Sequence, residues 1–211
     1  RDQERDGYRI DAAAMGRRAL KNVCLEYLMQ LDAVESRALG LEQFHTASNM
    51  TDQIGALAAL IHDDSPERVE ALAIFYHRWR REALVVDKWL SLQATSSLPG
   101  TLAVVRELMA HEAFNPRNPN KVRALIGAFS QANPWRFHAA DGSGYTFLAD
   151  RILELDAFNP QIAARLMAAF TRWRKYDLTR QERMREQLER ILAVPELSPD
   201  AYEIAAKSLG R

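Results

Sequence analysis

Asn118-Pro119-Asn120-Lys121-Val122-Arg123 and Asn159-Pro160-Gln161-Ile162-Ala163-Ala164-Arg165 bracket the stretch that decides the fold, with the turn Asp141-Gly142-Ser143-Gly144-Tyr145 between them. Proline lacks the backbone N–H that a first helical turn leaves unused, and the asparagine before it can accept from the next free amides. Each Asn-Pro pair therefore predicts a helix start. Each helix then carries an arginine about one turn in, Arg123 and Arg165, followed by an apolar run. Two guanidinium groups near the starts of successive helices, on either side of a glycine-rich turn, are the most function-like feature of the chain. The turn itself is no phosphate cradle: Tyr145-Thr146 stands where such a loop needs lysine and a hydroxyl residue. It predicts a helix-to-helix connection.

The same punctuation recurs outward from this stretch. Ser65-Pro66-Glu67 and Ser198-Pro199 predict two more helix starts, the last helix ending near Leu209-Gly210. Asp11 is a plausible cap for a first helix over 11–30, a second is expected over 33–47, and Asn49-Met50-Thr51-Asp52 breaks it and caps a third over 53–62. Asn49-Met50-Thr51 also has the glycosylation acceptor pattern, but its reading here is a cap. Leu72, Phe75, Tyr76 and Trp79 follow at helical spacing and predict core. Leu84-Val85-Val86-Asp87-Lys88-Trp89-Leu90 is apolar almost all round, so this helix is expected to be mostly buried with its two charges paired or at an edge. Further helices are predicted over 101–110 and 145–156. Thr179 and Glu182 have capping-box spacing and predict a start there. Arg172, Arg174, Lys175, Arg180, Arg183 and Arg185 are interleaved with Glu182, Glu186 and Glu189, the pattern of a solvated helix face rather than a nucleic-acid patch.

Ala113-Phe114-Asn115-Pro116 recurs as Ala157-Phe158-Asn159-Pro160 after about 44 positions, within the ~40–47-residue period of HEAT and armadillo helix pairs. A true repeat and ordinary antiparallel helix pairs give the same architecture. The expected fold is all-α, a superhelical stack of antiparallel helix pairs of the HEAT/armadillo kind with roughly ten helices, forming a single helical-repeat domain over 1–211 with residues 1–10 poorly ordered.

Composition narrows the function. The 211 residues are 47% hydrophobic, enough to bury a sizeable core. Lysine plus arginine (28) balance aspartate plus glutamate (28), so no net field favours nucleic acid or an anionic bilayer. Cys24 is the single cysteine, which excludes an internal disulfide or a multi-cysteine metal site and fits a reducing compartment. Its apolar neighbours predict a buried, inert thiol. The charged start over 1–6 lacks the apolar core of a signal peptide, and no run reaches ~18 apolar residues, so a soluble, cytoplasmic chain is expected. Arg1 in place of an initiating methionine suggests a piece of something longer. His111-Glu112 imitates the start of a zinc-binding helix, but Asn115 stands where the second histidine belongs, and Pro116 and Pro119 stop the helix. No metal site is expected in this chain.

Five segments in register carry a resemblance: Phe44-His45-Thr46-Ala47-Ser48-Asn49-Met50-Thr51-Asp52, Leu84-Val85-Val86-Asp87-Lys88-Trp89, Asn118-Pro119-Asn120-Lys121-Val122-Arg123, Phe137-His138-Ala139-Ala140-Asp141-Gly142-Ser143-Gly144-Tyr145 and Asn159-Pro160-Gln161. Together they resemble the C-terminal domain of bacterial aminopeptidase N, the zinc-dependent alanyl aminopeptidase, with matching order and approximate spacing from about Met15 to Leu209. Leu90 departs from the family, where phenylalanine is common. The resemblance implies a multidomain enzyme that removes N-terminal residues from peptides, with zinc held by two histidines and a glutamate in an earlier catalytic domain. It implies that this chain holds no cofactor and no catalytic residue. It implies further that the domain is a helical superhelix closing over the catalytic domain of the same polypeptide, and that Arg123, Gln161 and Arg165 face the enclosed cavity. There a guanidinium can hold a peptide carboxylate or carbonyl by directed hydrogen bonds.

Two other readings compete with this one. A free-standing helical-repeat scaffold would bind a protein partner on its concave face. A hydrolase in its own right would need a nucleophile, base and orienter, and no spacing among the five histidines and 28 acidic residues assembles them.

Overall fold

In the computed structural model the described residues run from Tyr8 to Arg211 and contain helices and turns but no strand. The stretch 1–10, expected to be poorly ordered, lies mostly outside the described residues, which begin at Tyr8. The chain divides into two compact units, one up to Leu92 and one from Gln93, the boundary falling inside a helix.

The first unit holds α1 (Ala12–Met29), α2 (Val34–Thr46), α3 (Met50–Leu60), α4 (Pro66–Trp79) and most of α5 (Ala83–Ala94). Three starts are capped by the side chains expected: Asp11 accepts from the Ala14 amide, Asn49 from that of Asp52 and Ser65 from that of Arg68. α1 packs on α2 and α3, and α4 closes against α2 and α3. Phe44, Leu57, Leu60, Ile61 and Phe75 are fully buried between them, with the Phe44 and Phe75 rings 6.4 Å apart. Trp89 of α5 donates its indole N–H to the Leu72 carbonyl at 3.0 Å, so its polar edge is satisfied inside the core.

One expectation fails in this unit and another holds only in part. Cys24 is exposed, because α1 buries Ala14, Arg18, Leu25 and Met29 and turns the cysteine the other way. Leu84 is 73% exposed, while Val86, Trp89 and Leu90 are buried, so the first turn of α5 is open rather than enclosed.

The second unit holds the end of α5, α6 (Thr101–Met109), α7 (Pro119–Val122), a π turn over Arg123–Gly127, α8 (Ala128–Ala132), α9 (Pro134–Phe137), α10 (Ser143–Asp156) and α11 (Pro160–Leu166), then short 3₁₀ turns, α12 (Leu178–Leu192) and α13 (Pro199–Leu209). Its core is aromatic. Phe137 meets Phe129 edge-on at 6.1 Å and Tyr145 at 5.3 Å, and Phe129 meets Phe147 edge-on at 5.6 Å. α12 starts one residue before Thr179, because Asp177 rather than Thr179 caps it, accepting from the Arg180 amide at 3.0 Å. The helix-pair stack expected from sequence is what the chain forms; among the described residues the count exceeds ten because the expected helix after Asn118 is broken into short pieces around the π turn.

The Asp141-Gly142-Ser143-Gly144 turn is a structural joint. Gly142 has φ +74°, a left-handed backbone that glycine adopts without cost, and Asp141 accepts from both the amide and the hydroxyl of Ser143. A Cβ on Gly144 would sit 2.3 Å from the Phe137 carbonyl oxygen, so only glycine lets α10 begin this close to the end of α9.

Candidate functional site

The outward faces of α11 and α13 meet in an open groove of about 440 Å³ lined by Gln161, Ala164, Arg165, Asp200, Glu203 and Ile204. Local capping sets both walls. Asn159 caps α11 by accepting from Ile162, Ser198 caps α13 by accepting from Ala201, and a proline follows each cap. The lining residues stand one, four and five positions after Pro160 and after Pro199 alike, so the two helices present the same phase to the groove. Ile162, Ala163 and Leu166 point α11 into the core, as Ala201, Ala205 and Ala206 do for α13.

The wall formed by α13 is anchored from α10. The Asp156 carboxylate is buried and accepts from the Ser198 backbone N–H at 2.8 Å and from its hydroxyl at 2.5 Å. These charge-assisted bonds fix the first turn of α13 relative to the end of α10, which itself packs on α11.

Within the groove Arg165 and Gln161 are exposed, and their side chains make no hydrogen bond or ion pair with any described residue. Glu203 is tied to Lys207 on its own helix, which holds its carboxyl below the usual carboxylate range. The groove thus offers a free guanidinium, a free carboxamide, carboxylates on the opposite wall and an apolar floor at Ala164 and Ile204. It can hydrogen-bond and charge-pair with a chain carrying carbonyls, amides and a terminal charge. It contains no arrangement of nucleophile, base and orienter.

Of the three residues expected to bind substrate, Gln161 and Arg165 share this groove and Arg123 does not line it. Arg123 is exposed at the start of the π turn, four residues after Pro119, and donates to the Asn120 side chain at 3.1 Å. Asn118 caps α7 by accepting from Asn120 at 2.9 Å, as the Asn-Pro reading requires. Asp200, Glu203 and Ile204 were missed from sequence, although their offsets after Pro199 repeat those of Gln161, Ala164 and Arg165 after Pro160.

A second polar cluster lies where the Phe137-to-Tyr145 segment meets α12. The Nδ1 of His138 is 2.8 Å from the Tyr145 hydroxyl, and its ring stacks on Tyr176 at 4.2 Å. Arg180 donates to the His138 carbonyl at 2.9 Å and pairs with Asp177 at 2.6 Å, while Arg183 donates to the Asp141 carbonyl. Burial, and secondarily the Arg180 charge, lowers the imidazole pKa, and burial pushes the Tyr145 phenol up to about 12. Every group here already has a partner, so the cluster ties α12 over the glycine turn rather than waiting for a ligand.

Zinc, which the resemblance implies for the longer enzyme, does not fit these residues. Among the described residues no three His, Cys, Asp or Glu side chains converge on a metal position. α6 ends at Met109, and the Nδ1 of His111 is occupied in accepting from the Ala113 amide at 3.0 Å. Among the described residues no helix is long and apolar enough to cross a membrane.

Residues 1–210 match the model of a domain of unknown function, DUF3458_C, described as ARM repeats. The chain is 48% identical to aminopeptidase N of Caulobacter vibrioides over 200 residues, which are 95% of this chain and 23% of that protein. It is 42% identical to aminopeptidase N of Escherichia coli over 202 residues, 96% of this chain and again 23% of that protein. Among solved structures, the aminopeptidase A of Legionella pneumophila in complex with aspartic acid superposes with a TM-score of 0.89 at 37% identity, covering 99% of this chain and 25% of that one. The chain therefore spans about a quarter of the length of the aminopeptidases it matches. It belongs to the DUF3458_C family of ARM-repeat domains, similar to the C-terminal part of aminopeptidase N.

Proposed function

We propose that this chain is the non-catalytic C-terminal part of a cytoplasmic zinc aminopeptidase, closing over the catalytic domain of the same polypeptide and presenting Arg165, Gln161 and Arg123 to peptide in the enclosed cavity. The observation that carries the reading is the pairing of a free guanidinium with a free carboxamide in one groove, in a chain whose relatives are aminopeptidases. A charged side chain without a protein partner is available for a ligand, whereas one tied between helices is not. The balanced net charge disfavours nucleic acid and anionic membrane as partners, and the lone cysteine fits the cytoplasm. In this reading zinc would be held outside this chain, in the catalytic domain, and the present residues would bind and orient peptide.

The test compares two polypeptides. Residues 1–211 alone should hydrolyse no alanyl anilide and retain no stoichiometric zinc after mild chelation; the polypeptide read from the intact gene should do both and should carry an H-E-x-x-H helix outside this chain. Either failure would overturn the proposal: turnover by residues 1–211 would favour a hydrolase in its own right, and a gene without that helix would favour the free-standing scaffold.

A further inference from the structure

The two walls of the groove carry opposite free charges. Arg165 stands on α11 and Asp200 in the first turn of α13; both are exposed, and neither side chain bonds to any described residue. Glu203, the other carboxylate of the groove, is already paired with Lys207. One cation and one anion therefore remain unmatched in a single groove. An ion pair whose work was to hold α11 against α13 would be closed. Here the helices are held instead by their buried faces and by Asp156 on Ser198, which leaves both charges for a ligand carrying one of each sign. The floor at Ala164 and Ile204 is apolar, and the volume of about 440 Å³ lies within the ~300–1,000 Å³ of small-ligand pockets.

A peptide brings its negative charge at the carboxyl terminus. Its amino terminus goes to the scissile bond of an aminopeptidase, away from these residues, so the cation that meets Asp200 must come from a side chain. Lysine and arginine join a charged head to a long stem that lies along apolar surface. As the last residue of a peptide, either carries both charges together. We propose that the groove selects peptides ending in lysine or arginine, Arg165 taking the α-carboxylate, Ala164 and Ile204 the stem, and Asp200 the side-chain cation. Gln161, also unpartnered, offers its carboxamide to the last peptide group. An acidic last residue would set a second carboxylate against Asp200 and is disfavoured. The selection rests on the peptide-facing reading of Arg165, and the experiment separates the two.

The intact enzyme is assayed on alanine peptides of two to five residues whose last residue is lysine, norleucine or glutamate; norleucine has the lysine stem without its charge. An exposed ion pair is worth a factor of about two to five. At the length that reaches Arg165, kcat/KM should therefore fall in the order lysine, norleucine, glutamate, with lysine about two- to fivefold above norleucine. The advantage should shrink as salt is raised. Asp200→Asn keeps the shape and removes the charge, so it should bring the lysine and norleucine peptides to the same kcat/KM. A carboxylate that served only the first turn of α13 would lower Tm when replaced and leave the ratio intact. A ratio of one in the unaltered enzyme, or a ratio that survives Asp200→Asn, would overturn the selection. If Arg165→Ala still lowers activity on these peptides, the peptide-facing role stands without it; if Arg165→Ala changes nothing either, both readings fall.

Discussion

Replacing Arg165 with alanine separates a ligand-binding arginine from a structural one, because the structure gives the two roles different stability signatures. Arg165 is exposed, and its side chain is bonded to no described residue. Removing such a side chain changes stability by no more than about 0.5 kcal/mol, a Tm shift of roughly 1–2 °C for a domain of this size. If the guanidinium meets a peptide carboxylate or carbonyl, its hydrogen bond is worth about 1.5–3 kcal/mol. At about 1.4 kcal/mol per factor of ten, Arg165→Ala then costs roughly ten- to hundredfold in kcat/KM on tripeptides. Small chromogenic amides end near the scissile bond and should lose far less. Arg165→Lys keeps the charge but not the planar fork, so it should recover little if the contact is bidentate. The assay is kcat/KM of the intact enzyme on a series of two- to five-residue peptides beside an alanyl anilide, with Tm measured on each variant. Unchanged kcat/KM across the series at unchanged Tm would remove Arg165 from the substrate path. A large Tm drop with equal loss on both substrate classes would show that the side chain holds helices together.

Three further outcomes follow from the same geometry. Arg123→Ala breaks one exposed bond to Asn120, so it too should leave Tm nearly unchanged and act on longer peptides, with peptide-length dependence as the readout. Asp156→Ala removes a buried carboxylate that accepts twice from Ser198; urea denaturation should show a loss of about 2–3 kcal/mol, and the peptide kinetics should worsen as the α13 wall loosens, whereas an unshifted urea midpoint would refute the anchoring role. His138 is held neutral by burial, so the unfolded chain binds the extra proton first: stability should be full above about pH 6.5 and fall on acidification below it, and His138→Gln should flatten that slope in pH-dependent urea melts. His62 is pushed the same way although its residue is exposed, so part of the slope should survive the substitution.

What could be read from sequence is what short-range chemistry decides. Asn118, Asn159, Ser65 and Ser198 cap helices where expected because a cap is satisfied within three residues of itself. α10 starts two residues before the expected position 145, since its start depends on Gly142 adopting a left-handed backbone and on Gly144 passing the Phe137 carbonyl. The exposure of Cys24 is not legible for a different reason: when a helix is apolar on both sides, its neighbours in sequence do not say which side meets the core. The pairing of α11 with α13 is long-range, so the acidic wall opposite Arg165 had no local signal beyond its phase after Pro199.

The π turn under Arg123 shows how the local and long-range levels combine. Pro119 sets the phase of α7, which puts Asn120 and Arg123 outward. Immediately afterwards Ala124, Leu125, Ile126 and Gly127 are all buried, more consecutive core residues than one face of a regular helix can supply. The wider turn, closed by the Ala128 amide on the Arg123 carbonyl, accommodates this stretch, and Ser130 satisfies the Ile126 and Gly127 carbonyls with its hydroxyl. A straight helix would have to carry the phase of Arg123 unbroken into Phe129 and Ser130. The π turn separates them, so the exposed arginine and the buried aromatic core can each be positioned without constraining the other.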